Sequence, residues 1–308
     1  MNRQNYQLIL AERSQLRQML ERIPEDDVID RISIQARLRD ADALVAESAA
    51  FGREPARVRL TFRGQPVVGS YGIFADFGTA AVSKFIDAVA SVAASLNAPL
   101  AATGPIPNRV QNQLLITSTA TGSFGFELEE YVGEQMPLVE ELTPVALALL
   151  QTQALLQGTL GTDDELADTA ADSDPRALNS VRMFLDTLVG AEATCAIEYG
   201  EHSFRFNDVG QVRRSLERLS QDNLREEEQH LHGEFQGVLP KRRTFEFAIS
   251  GQTDIIIGKV SSAIPDASIL NDLLHQSVRI KVMTTRVGNG RPRYVLLEQP
   301  ELFEEPLV

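Results

Sequence analysis

Cysteine is nearly absent from this chain. Cys195 is the sole thiol among 308 residues, so no internal disulfide can form. It lies in ATCAIEY, an apolar run that reads as a strand, and no Cys/His signature accompanies it. The expectation is a buried structural thiol in a reducing compartment, the cytoplasm. Histidine is scarce too: His202, His230, His232 and His275 are the four. His230 and His232 form an H-x-H that could face one side of an extended segment, but no cysteine cluster, H-E-x-x-H or third ligand supports them, so no metal is expected. His202, in YGEHSF, reads as a turn residue. Long apolar runs are missing as well. PVALALLQTQALLQ is interrupted by glutamines, and MNRQNYQLILAERSQ has no apolar core, so neither a signal peptide nor a membrane span is expected.

Several chemistries lose their motifs in the same way. Neither G-x-G-x-x-G nor G-x-x-x-x-G-K-[ST] occurs, and the glycines of VVGSYGIFADFG read as strand and turn residues; no cofactor is expected. TSTATGS (Thr117 to Ser123) is rich in hydroxyls, yet G-x-S-x-G is absent and the β-propensity of threonine accounts for the run. GTDDELADTAADSDP (Gly161 to Pro175) holds six acids and no base without the order of a calcium loop, and reads as a solvated link between helices. No catalytic residue stands out. The enzyme reading that survives is an unrecognised carboxylate-based site in the body of the chain.

What is present is a charge asymmetry. The formal charge of −14 disfavours attraction of the whole chain to nucleic acid or anionic membrane. Residues 231–298 nonetheless hold nine basic and six acidic residues, a net +3, behind a strongly acidic body. Hydrophobic periodicity divides the chain. Ile9, Leu16, Met19, Leu20 and Ile23, then Ile34, Leu38, Ala41 and Val45, recur at helical spacing on either side of Pro24 and predict a helical hairpin over residues 1–52. From Arg57 the period becomes two. VRLTF, VVGSYGIFADF, QLLITSTATG and SFGFELEEY read as strands around a helix from Thr79 to Leu96. Helices follow at PLVEELTPVALALLQTQALLQ and PRALNSVRMFLDTLVG, then a hairpin, CAIEYGEHSFRF, and a helix over VGQVRRSLERLSQDNLREEE. Paired strands with tight turns favour an antiparallel sheet with packed helices, an α+β body over residues 53–230. TGPIPNRVQN between them reads as a stiff loop.

The last quarter reads differently. HGEFQGVLP, TFEFAIS and TDIIIGKV precede one helical segment, Ala267 to Gln276, and SVRIKVMTTRV and PRYVLLE follow it. Three strands, a helix and two strands resemble an oligonucleotide/oligosaccharide-binding (OB) barrel, here over residues 231–298 with an acidic tail at 299–308. The resemblance implies that the loops after strands one and four flank a ligand groove. The first carries Lys241, Arg242 and Arg243. The second is the turn VGNGR, in which Asn289 and Gly290 are expected to supply positive φ, with Arg286, Arg291 and Arg293 around it. These six form the candidate anion-binding set. Phe245, Phe247 and Tyr294 are candidate stacking platforms, although alternation puts Phe245 and Phe247 on one face, as in a core. The leading expectation is a non-enzymatic cytoplasmic binding or adaptor protein that self-associates through its helices and binds an acidic partner through the barrel. A nucleic-acid-binding factor acting through the same loops is the alternative.

Overall fold

The structure is a computed structural model that describes residues 3–24, 27–47, 55–120, 124–131, 142–252 and 254–302. Helices α1 (Arg3–Arg22) and α2 (Val28–Glu47) form the expected hairpin. Leu16, Ile34 and Ala41 are buried with Leu20, Ile23 and Leu38 beside them, so the helical spacing does mark the seam. Arg37 pairs with Glu12 at 2.6 Å and Arg17 with Asp42 at 3.4 Å across the two helices. Leu8, Val28, Ile32 and Leu44 stay exposed.

The body is built on β1 (Arg57–Gly64), the middle of a five-stranded sheet ordered β4-β5-β1-β6-β7. Strand β1 pairs with β5 (Gly125–Glu130) and β6 (Ala193–Tyr199), which pair in turn with β4 (Leu114–Ala120) and β7 (His202–Arg205), and every pairing is antiparallel. Alternation sorts the two faces. Val58, Leu60, Phe62, Leu128 and Ile197 enter the core, while Arg57, Arg59, Glu127 and Glu198 line the other face. There Arg57 meets Glu129 at 2.8 Å. VVGSYGIFADF is not one strand. It makes a two-stranded ribbon, β2 (Val67–Val68) and β3 (Gly72–Ile73), and then enters α3 (Ala75–Ser95).

Helix α3 is long and apolar enough by composition to cross a bilayer, yet 67% of that window is buried in the body. Phe85 meets Phe184 there, ring centroids 5.6 Å apart. Helix α4 (Pro144–Leu160) begins at the Thr143 cap with proline in its first turn; residues 137–141 of the expected helix lie outside the described residues. Cys195 packs in this core, and burial raises its pKa, which keeps the thiol protonated.

Two expectations fail in instructive ways. Gly161 to Pro175 is not a linker: α5 (Asp163–Ala171) fills it. Thr162 and Glu165 close a capping box at its start, Asp163, Asp164 and Glu165 sit at the positive end of the helix dipole, and Leu166, Ala167 and Ala170 are buried. The backbone and hydroxyl hydrogen bonds of Thr162 hold the Glu165 carboxyl below its ordinary pKa. After α6 (Pro175–Gly190), helix α7 (Val209–Arg218) ends well before the glutamates. Leu224-Arg-Glu-Glu-Glu is the start of a strand, not the end of a helix.

That strand, β8 (Leu224–Leu239), opens the barrel seven residues ahead of the expected boundary at 231. It meets β9 (Thr244–Ile249), β10 (Ile255–Val260), β12 (Arg293–Leu296) and β11 (Ser277–Val287) in the order β8-β9-β10-β12-β11 and back to β8. The β10–β12 pairing is parallel and the others are antiparallel. This is a closed, OB-like barrel. A short strand, β13 (Glu301–Leu302), lies against the start of β11. The helical segment between β10 and β11 is a 3-10 helix confined to Ala267–Leu273, capped by Asp266, with Ala267 and Leu270 in the barrel core. Its one-sided pattern was legible, its tighter winding was not.

Strand β8 changes partners along its length. Its first part, Leu224 to Glu234, pairs with β11, and from Gly233 it pairs with β9. Gly233 belongs to both ladders.

Candidate functional site

The six candidate cations do not share one environment. Lys241 and Arg242 occupy a 3-10 turn after β8 and are exposed. Arg243, at φ 51°, turns its guanidinium inward and donates to the carbonyls of Val260 at 3.2 Å, Ser261 and Ile264 at 2.6 Å. It braces the turn after β8 against the segment that follows β10. Arg286 and Arg291 are exposed. Arg293 donates to Asp168 at 2.5 Å and lies 3.4 Å from Asp164, both on α5. The hydrogen bond to Asp168 raises its pKa further.

Nor do the two loops form one patch. The Val260 amide donates to the Arg243 carbonyl, which puts the first loop at the end of β10. The second loop leads into β12, which runs parallel to β10 with Tyr294 opposite Gly258, so that loop lies toward the start of β10. Its positive φ falls on Gly288, at 51°, and not on Asn289 or Gly290; the Gly290 amide closes the turn on Val287.

Phe245 and Phe247 are core residues, 1% and 0% exposed. They pack edge-on around Phe235 with centroids 5.7 and 5.1 Å away. Strand alternation turns both inward, which leaves neither ring a face on which a base could stack. Tyr294 is half-buried and does reach a surface cleft.

That cleft, of about 700 Å³, lies over β10 and β12 beside the end of α5. Ile255, Ile257 and Tyr294 line it together with Asp254, Lys259, Arg291 and Arg293. Ile255 is 54% and Ile257 67% exposed, an unusual outlay of apolar surface on one strand. TDIIIGKV held the signal: three isoleucines in a row on a strand must send alternate side chains to opposite faces.

The wall that comes from the body is Asp168 and Ala171 of α5, whose neighbouring acids are also paired. Asp172 takes the Lys259 ammonium at 2.6 Å, Asp164 and Asp168 take Arg293, and Asp163 takes Arg218 at 2.9 Å. A second cleft, of about 570 Å³, separates the body from the barrel. In it Lys281 pairs with Glu228 at 2.9 Å, an interaction that raises the lysine pKa. Glu226 has its pKa pushed up to about 7, first by burial and then by the charge of Asp174, with Arg182 opposing.

Among the described residues no group of three histidine, cysteine or acidic side chains could hold a metal ion; His230 is exposed on β8. Thr117 to Ala120 of the hydroxyl-rich run lie on β4, while Thr121 to Ser123 lie outside the described residues. Gly69 and Gly72 flank the β2–β3 turn. No family model, curated protein or solved structure matches the chain.

Proposed function

We propose that this chain is a non-enzymatic binding protein whose barrel receives an acidic protein segment in the β10–β12 cleft. The observation that carries this is the pairing, in one groove, of exposed Ile255 and Ile257 with Lys259, Arg291 and Arg293. Isoleucines give an extended chain an apolar footing, and guanidinium groups bind carboxylates in two-pronged fashion. A peptide library displayed against the full chain tests the reading. Enriched peptides should combine apolar and acidic residues, and Ile257→Asp should weaken them by about tenfold, ~1.4 kcal/mol. Enrichment that Ile257→Asp and Ile255→Asp leave intact would overturn it.

A nucleic-acid reading rests on Lys241, Arg242, Arg286 and Arg291, which remain exposed. It predicts single-stranded oligonucleotide binding that weakens steeply with salt, less steeply in Arg286→Ala/Arg291→Ala/Arg293→Ala. Absence of binding at low salt would discard it.

The helical hairpin serves self-association in this proposal, because Leu8, Val28, Ile32 and Leu44 leave apolar surface beyond the seam. Light scattering should give a multiple of the 33.9 kDa chain mass, falling to the monomer value when residues 1–50 are removed. A monomer mass for the full chain would retire this part.

A further inference from the structure

We infer that α5 is a built-in competitor for the barrel groove: Asp164, Asp168 and Asp172 hold Arg293 and Lys259 in the contacts that an acidic partner segment would otherwise make. The inference rests on the groove reading above and adds its regulation. Spacing supports it first. Residues four apart on a helix share one face, so the three carboxylates form a single stripe toward the barrel. On the opposite side Leu166, Ala167 and Ala170 fix the helix to the body core.

Charge placement supports it second. Asp172 is the C-cap of α5 and Asp168 lies in its last turn, where the helix dipole disfavours negative charge and no basic residue of the helix compensates. Among the described residues, Lys259 and Arg293 of the barrel pair with these two carboxylates and offset that cost. The two acids at this C-terminal end are thus explained by what they face, not by the helix they belong to.

Strength decides whether such a contact can yield. The carboxylates of Asp164, Asp168 and Asp172 are 55%, 60% and 44% exposed, and surface pairs of this kind are weak and salt-screened. A partner that also covers Ile255 and Ile257 gains apolar burial that α5 does not, so it can displace the three carboxylates without unseating the helix.

The test compares the full chain with Asp164→Asn/Asp168→Asn/Asp172→Asn in binding a fluorescein-labelled peptide of alternating glutamate and leucine. Removing the internal carboxylates should tighten binding by about tenfold, ~1.4 kcal/mol. Asp168→Glu alone should behave as wild type, and matching thermal melts would show that the triple variant folds. Equal affinities for wild type and triple variant would overturn the competition while leaving the groove as a binding site. Absence of binding by both would remove the groove reading and the inference with it.

Discussion

Gly233→Ala should destabilise the protein by about 3 kcal/mol, at the upper end of what overpacking costs, whereas Gly237→Ala, on the same strand, should shift stability by less than ~1 kcal/mol. Gly233 is where β8 leaves the β11 ladder and joins β9. A Cβ there would lie 1.9 Å from the Ala248 carbonyl oxygen and 2.8 Å from the Phe247 ring. The first neighbour is backbone in a paired strand and the second is wedged against Phe235, so neither can retreat without opening the barrel. At Gly237 the nearest atom to an added Cβ is the mobile end of Glu246, 3.7 Å away. Urea titrations of both variants measure the contrast. Equal midpoints would mean that the crossing of the two ladders is looser than its geometry implies.

Glu226→Gln should stabilise the protein at pH 8 by about 2–3 kcal/mol and have little effect near pH 4. An ordinary glutamate loses its proton near 4.5, whereas folded Glu226 keeps it to about 7, chiefly through burial and secondarily through Asp174. Between those values the native protein binds a proton that the unfolded chain has released. The contribution of Glu226 to stability must therefore fall as pH rises from about 4.5 to about 7, and stay level beyond. The separation of the two values sets a ceiling of about 3 kcal/mol, reduced because the carboxyl keeps some contact with solvent. Arg182 on α6 opposes the shift, and the paired Lys281 and Glu228 face the same cleft. Denaturation midpoints of wild type and variant that run parallel from pH 4 to pH 8 would contradict this account.

The barrel was legible because its strands alternate strictly. VRIKVMTT and TFEFAI announce which side is core, and Val278, Ile280, Val282, Phe245 and Phe247 are buried accordingly. The start of β8 was not legible, because a glutamate run after an amphipathic helix looks locally like more helix. It is strand because β11 offers eleven consecutive partners, from Ser277 to Val287, and Lys281 neutralises Glu228. Helix α5 was readable in principle: Thr162 and Glu165 are a capping box, and acid density hid it. Side-chain allegiance was the least legible feature. Arg243 and Arg291 are equivalent as letters, yet one braces three carbonyls and the other meets solvent. Only the path of the backbone between β9, β10 and the 3-10 segment separates them.

The order of strands in the body has a consequence for synthesis. β1 is the first strand of its sheet to be made, yet one neighbour, β6, arrives only after α3 to α6 have been translated. Until Ala193–Tyr199 leaves the ribosome, one backbone edge of β1 has no native partner, although α3 can already cover its apolar side. A chain stopped short of that point exposes, as an open border, what becomes the centre of the sheet, and such a border recruits other chains. The sheet is therefore completed late in translation, and a chain truncated at residue 192 is expected to give less soluble protein than the full chain, which a comparison of soluble yields checks.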